Sequence, residues 1–561
     1  MKSSSKYVVT IILILLLSVS LGLTIDYIKD NKDVTSNAPS MNGGNPPDMS
    51  NNSDNSGSNN NTPPEMLKND NLSKMNNNIE WYYYVLVVSL SIGVSILVIY
   101  LIMFNLNKKD IKETFSTKDK IVIYVLSTIL LSGILTGGSL ILSDKLASNN
   151  NVENNTGGMN NNGSSNIIYK ASKEITSDED IKDGKYTSTT SDENVISVSN
   201  SKSTISGVTV NKTGDSDGGD NTSFYGTNSA VLAKDGAVVT IKNASITTNA
   251  TGSNGVFSYG GSATTQASSG DGTTVNISDS TIVTKKDNSG GIMTTSGGIM
   301  NATNLKVTTS GVSSAAIRSD RGGGIVTVNK GTYKTTGAGS PSIYSTASIT
   351  VKNSKLISNA SEGIVIEGKN SVSIENTELI DTNNKLNGKS TTYKNIFLYQ
   401  SMSGDASLGV STFSAKNSKI TTNNGDTFYV TNTTASITLE NNEIINNDSN
   451  GNFLRVSKDS WGTSGSNGGE VELILNNQKA LGNILVDSIS TLNMSLNSNS
   501  YYDGIINGDN SAKEIKLSLD KSSFIKLEGD CYITSLDNED TSNSNIDFNG
   551  YKLYVNGSAI N

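Results

Sequence analysis

One recurring pattern constrains this chain more than any other. From about residue 167 a short motif returns: three alternating apolar positions, an Asn or Asp, two residues, then another apolar one. Val239-Thr-Ile241-Lys-Asn243-Ala-Ser-Ile246 and Ile349-Thr-Val351-Lys-Asn353-Ser-Lys-Leu356 show it. So do Val372-Ser-Ile374-Glu-Asn376-Thr-Glu-Leu379 and Ile437-Thr-Leu439-Glu-Asn441-Asn-Glu-Ile444. The Asn position recurs at 243, 279 (Asp), 304, 330 (Lys), 353, 376, 417 and 441. Most gaps are 23 to 26 residues, and two, of 36 and 41, imply inserted loops. Alternation of period two marks strands with one face buried. A period in the twenties built from several short strands marks a solenoid. Leucine-rich repeats share the period, but their fixed Leu and Asn scaffold is absent. Asn tolerates left-handed backbone, and its amide can bond the same corner of the next coil. The recurring asparagines therefore read as corner structure.

Composition agrees with a thin, repetitive architecture. Hydrophobic residues make up 35% of the 561, and many of them sit in three N-terminal runs. The rest is rich in Asn, Ser, Thr and Gly, a poor fit for one large core. A net charge of −9 argues against nucleic acid, whose partners need clustered Lys and Arg. Histidine is absent, which removes every Ser-His, Cys-His and His-zinc mechanism. Cys531 stands alone, can form no internal disulfide, and reads as a small buried apolar residue. No metal site and no cofactor is expected. Lysine outnumbers arginine 40 to 3, the mark of an AT-rich genome, so each arginine is informative.

Three uncharged runs precede the repeats. Residues 7–25 form either a signal peptide or an anchor within segment 1–30; no small-x-small cleavage site is evident, which favours the anchor. Residues 81–107 and 121–143 both exceed the ~20 residues that span a bilayer, and make segment 81–143 a transmembrane hairpin. The loop between them carries Lys108, Lys109, Lys112, Lys118 and Lys120, which the positive-inside rule places in the cytoplasm. Everything after residue 143 is then extracellular. Asn-rich 31–80 is expected to be disordered and 144–166 to be a flexible linker. The fold expected is all-β, a right-handed parallel β-helix over 167–561, preceded by N-terminal transmembrane α-helices.

The repeats resemble the right-handed parallel β-helix of the pectin-lyase-like fold. More narrowly, they look like exported adhesin-like or carbohydrate-binding β-helix proteins of anaerobic Gram-positive bacteria. The residues that carry the likeness are Ser314-Ala-Ala-Ile-Arg318-Ser-Asp320-Arg321-Gly-Gly and Tyr399-Gln-Ser-Met-Ser-Gly404. Phe428-Tyr-Val-Thr-Asn432-Thr and Trp461-Gly-Thr-Ser-Gly-Ser-Asn467-Gly-Gly add to it. The resemblance covers 167–561 and leaves out the N-terminal helices. It implies a cell-surface protein that binds carbohydrate or mediates adhesion.

Each coil also holds a second strand. Aligned on their inward Ile/Val/Phe/Leu column, these strands send Phe257, Met293, Arg318, Tyr344, Val365, Phe397, Tyr429 and Arg455 outward. A neighbouring outward column holds Tyr259, Asp320, Glu367 and Tyr399. With Arg321 and Trp461 beside them, forked guanidinium donors and aromatic rings suit an extended sugar chain. The candidate contacts are Arg318, Asp320, Arg321, Tyr344, Glu367, Phe397, Tyr399, Tyr429, Arg455 and Trp461. The competing reading is cross-strand stacking that only stabilises the sheet, or cover from an inserted loop such as 382–394.

Catalysis is not expected. The fold's Asn-Thr-Asp, Asp-Asp, Gly-His-Gly and Arg-Ile-Lys hydrolase patterns are missing. A lyase acting on an acidic glycan needs clustered acids for calcium plus an Arg or Lys base. Arg318, Asp320 and Glu367 supply only a thin version of that set. A passive surface spacer is a further alternative.

Overall fold

The computed structural model describes residues 167–561 apart from 217–218, 263–269, 387–389 and 402. The expected membrane helices and Asn-rich segments lie outside the described residues. Among the described residues no helix is long and apolar enough to cross a membrane.

Residues Ser164–Asn561 form one compact unit, a solenoid of stacked parallel strands. Twelve strands, from Ala171–Ile175 to Ile484–Val486, make its first face. A 21-stranded sheet supplies the second and third faces. Most coils give it two short strands, such as Val238–Lys242 and Ser245–Thr248. Three coils give it one long strand instead: Gly298–Thr309, Gly324–Thr335 and Ser348–Ser358. Two smaller sheets continue the stack to the C-terminus, where Leu553–Val555 and Ser558–Ala559 form an antiparallel pair.

The corner between the second and third faces is where the Asn repeat falls. Asn243, Asp279, Asn304, Lys330, Asn353, Asn376, Asn417 and Asn441 all take positive φ, between 47° and 66°. Their side chains tie successive coils together. Asn304 Nδ2 donates to Asp279 Oδ1 at 2.7 Å, and Asn441 Nδ2 to Asn417 Oδ1 at 2.8 Å. A second polar column runs just after it. Ser280 Oγ, Ser418 Oγ, Asn442 Oδ1 and Gln478 Oε1 each accept a backbone N–H of the preceding coil.

Strand register stacks like on like. Val239 lies against Val275, Ile241 against Ile277 and Ile246 against Ile282, and all six are buried. On the first face Ile292, Ile317, Ile343, Ile364 and Ile396 follow one another in register. Each such side chain contributes about 1.5–3 kcal/mol on burial. The core is therefore a column threaded along the stack, with no single centre.

Candidate ligand-binding site

The outward column of the first face is in the expected register. Leu232, Phe257, Met293, Arg318, Tyr344, Val365, Phe397, Tyr429, Arg455 and Leu485 pair in order, coil by coil. It is not an open ladder, however. Phe257 and Met293 are fully buried, and Val365, Phe397 and Tyr429 nearly so. Inserted segments roof them, and they form two small apolar cores outside the solenoid.

The first roof is the insertion that carries the short helix Asp220–Tyr225. Thr295 Oγ1 donates to the Phe224 carbonyl at 2.7 Å and pins this segment to the first face. Gly226 caps the helix in the left-handed region (φ 70°), with its Cα hard against the Phe257 ring. A Cβ there would lie 2.8 Å from Phe257 Cγ, so only glycine allows this approach. Leu232, Phe257 and Met293 pack beneath.

The second roof covers the coils from Tyr344 to Tyr429. Trp461, from the loop that follows Leu454–Val456, sits 5.3 Å from the Phe397 ring and 5.2 Å from the Tyr399 ring, centroid to centroid. Phe397 in turn stacks on Tyr399 at 4.5 Å and meets Tyr429 edge-on at 5.8 Å. Beneath the same roof Lys394 is completely buried among three rings, with Nζ 4.2 Å from Phe397, 4.5 Å from Tyr429 and 5.5 Å from Trp461. Arg455, at the far end, is half-buried and tied to Asp426 at 2.5 Å, with its guanidinium 6.0 Å from the Tyr429 ring.

Arg318 lies where the two roofs part. A cleft of about 350 Å³ opens there, lined by Phe224, Ser313, Arg318, Asp320, Tyr344, Tyr399 and Asp405 among others. Arg318 is held in place, its Nη2 on Asp320 Oδ2 at 2.9 Å and its Nη1 on the Ser313 carbonyl at 3.3 Å. Arg321 forms the rim: its Nε donates to Asp405 at 2.9 Å and its guanidinium lies 4.0 Å over the Phe224 ring. Glu367 is buried below the cleft and accepts the hydroxyls of Tyr344, Tyr399 and Ser401. Burial pushes Tyr344 and Tyr399 well above the ordinary phenol range, so both keep their protons. Burial also raises the Asp320 carboxyl, with the Arg318 charge opposing that rise and Asp405 adding to it.

Of the ten candidates, Arg318, Asp320, Tyr344 and Tyr399 line one cleft, with Arg321 at its rim and Glu367 beneath it. Phe397, Tyr429 and Trp461 belong to the roofed core, and Arg455 lies at its edge beside Tyr429, outside the cleft. Phe224, Ser313 and Asp405 were not among the candidates, because none of them lies on a repeat strand. The signal for Asp405 was the 41-residue gap between corners, which marked an insertion without saying where it folds back. Searched against protein-family models, curated proteins and solved structures, the chain gives no match.

Proposed function

We propose that this is a membrane-anchored cell-surface protein of the right-handed, pectin-lyase-like β-helix type whose first-face cleft binds a neutral saccharide. One observation carries the reading: the cleft at Arg318 is the place where the roof parts, and polar forks and rings converge on it. Sugar recognition asks for planar donors and acceptors on hydroxyl pairs and for flat rings against C–H faces. Arg318, Asp320 and Asp405 supply the first, Phe224 and Tyr344 the second. A cleft of this size falls within the range of small-ligand sites.

Charge selects among sugars. Both cleft arginines already face a carboxylate, Arg318 on Asp320 and Arg321 on Asp405. That leaves no uncompensated cation for a uronate or sialate, which disfavours an acidic ligand and with it the lyase alternative. Among the described residues no three acidic side chains converge as a calcium cage either.

The test is a glycan array probed with the full-length chain in detergent. Retention on neutral glycans is expected, with no shortening of the bound chains. Silence across a broad array, from protein whose circular dichroism shows the β-fold, would remove the binding hypothesis.

A further inference from the structure

Lys394 and Asp459 are an unusual pair. Their side chains are 0% and 1% exposed, and Lys394 Nζ stands 3.6 Å from Asp459 Oδ2. Among the described residues neither atom has a hydrogen-bond partner. Asp459 Oδ1, by contrast, accepts from Thr391 Oγ1 at 2.9 Å, the Ser460 N–H at 2.7 Å and the Ser460 hydroxyl at 3.3 Å. Phe397, Tyr429 and Trp461 wall the pair off from water. A buried ammonium and a buried carboxylate oxygen that lack hydrogen bonds are costly as ions.

We propose that Lys394 and Asp459 condense into an intramolecular isopeptide bond. The carboxyl carbon of Asp459 is offered to the amine with one oxygen anchored and the other free. A proton passes from the ammonium to the carboxylate, giving neutral amine and carboxylic acid. The Nζ lone pair then attacks Cγ, and the developing oxyanion at Oδ1 is held by Thr391 and the Ser460 N–H, donors already in place. Collapse breaks the Cγ–Oδ2 bond. Oδ2 leaves as water with the acid proton and one amine proton, and an amide N–H remains. No oxidant or other reactant is needed.

Further features assist. Burial holds Lys394 below the usual lysine range, which favours the amine, while the charges of Glu362 and Asp459 oppose that shift. Glu362, itself buried, is the nearby carboxyl suited to carry protons between the partners. A cavity of about 60 Å³, lined by Glu362, Ser390 and two of the rings that enclose Lys394, Phe397 and Trp461, can take up the released water. Holding the groups at contact distance supplies the effective molarity, ~10⁵–10⁸ M in well-oriented systems, that condensation in water lacks. The bond would run from strand Lys394–Tyr399 to the roof loop two coils later. It would clamp the roof covalently in a chain whose single cysteine allows no internal disulfide.

The test is mass spectrometry of a tryptic digest of the unfolded full-length chain. A branched peptide is expected that joins the segments around Lys394 and Asp459, lighter than their sum by one water and uncut after Lys394. Glu362→Gln should leave the two segments as separate peptides while circular dichroism still reports the β-fold, and Lys394→Arg should do the same. Separate linear peptides from the wild-type chain, with cleavage after Lys394, would overturn the proposal. They would show Lys394 to be a cation held by the three rings. The wild-type digest decides the matter even if a variant fails to fold.

Discussion

The first and second faces run through the same coils and share the same inward columns of aliphatic side chains, yet their outward columns have opposite characters. On the second and third faces the outward positions carry cross-coil ion pairs in the open. Lys352 meets Glu375 at 2.8 Å, Lys355 meets Glu378 at 2.8 Å, and Lys416 meets Glu440 at 2.6 Å. On the first face the outward positions are Phe, Met, Tyr and Val, and most are as buried as the core itself. Alternation says which side chains leave the core, and their chemistry says whether something lies on top. An apolar outward column is the footprint of a roof. Two arginines mark its breaks: Arg318 between the two small outer cores, Arg455 at the edge of the second beside Tyr429.

Truncating rings on each side of the first-face wall should have the largest effect. Tyr429→Ala, outward but roofed, is expected to lose about 3–5 kcal/mol in urea unfolding, as much as its inward neighbour Phe428→Ala. Thr350→Ala on the open second face should change stability by less than about 0.5 kcal/mol. A Tyr429→Ala variant as stable as Thr350→Ala would mean that the roof packs loosely. The corner gives the next largest effect. Asn376 holds φ at 48°, and Asn376→Ala should cost about 1–2 kcal/mol, with Asn376→Gly recovering most of it.

The smallest effect is also the most diagnostic, because its sign differs between the faces. Burial raises the Asp320 carboxyl. Its contribution to stability is therefore full at low pH and is lost as pH rises through the raised value. The hydrogen bond and charge of Lys352 lower Glu375 instead. That contribution is present above the ordinary glutamate range and is lost as pH falls. Acidification from neutral pH should thus favour wild type over Asp320→Asn and disfavour it against Glu375→Gln. Thermal unfolding of the three proteins across that range measures both signs, and parallel curves would show that the two faces do not differ electrostatically.

How much of this could be read beforehand follows from what repeats. The corner asparagines and the register of the first-face column were legible because periodicity records them coil after coil, even where Lys330 replaces Asn. The roofs were not. The helix at Asp220–Tyr225 and the loops bearing Asp405 and Trp461 have no period, and their contacts reach across several coils. Only the 41-residue gap hinted at one of them, the loop bearing Asp405. Lys394 was invisible for a different reason: a lysine beginning a strand normally reaches for solvent, and only the folded roof shows it shut among three rings. Cys531 fits its reading as a buried apolar residue, since burial pushes its thiol up to about 11.

Ligand entry at the parting of the roof can be tested directly. The direct measurement is isothermal titration of the best-retained neutral glycan against four full-length proteins: wild type, Phe224→Ala, Asp405→Asn and Thr350→Ala. Loss of one ring contact or one charged hydrogen bond at the cleft should weaken binding by about 1–3 kcal/mol, roughly 5- to 100-fold, in the first two variants. Thr350→Ala, on the open face, should bind like wild type. Equal affinity in all four, or loss in Thr350→Ala alone, would contradict the claim and move the site off the first face.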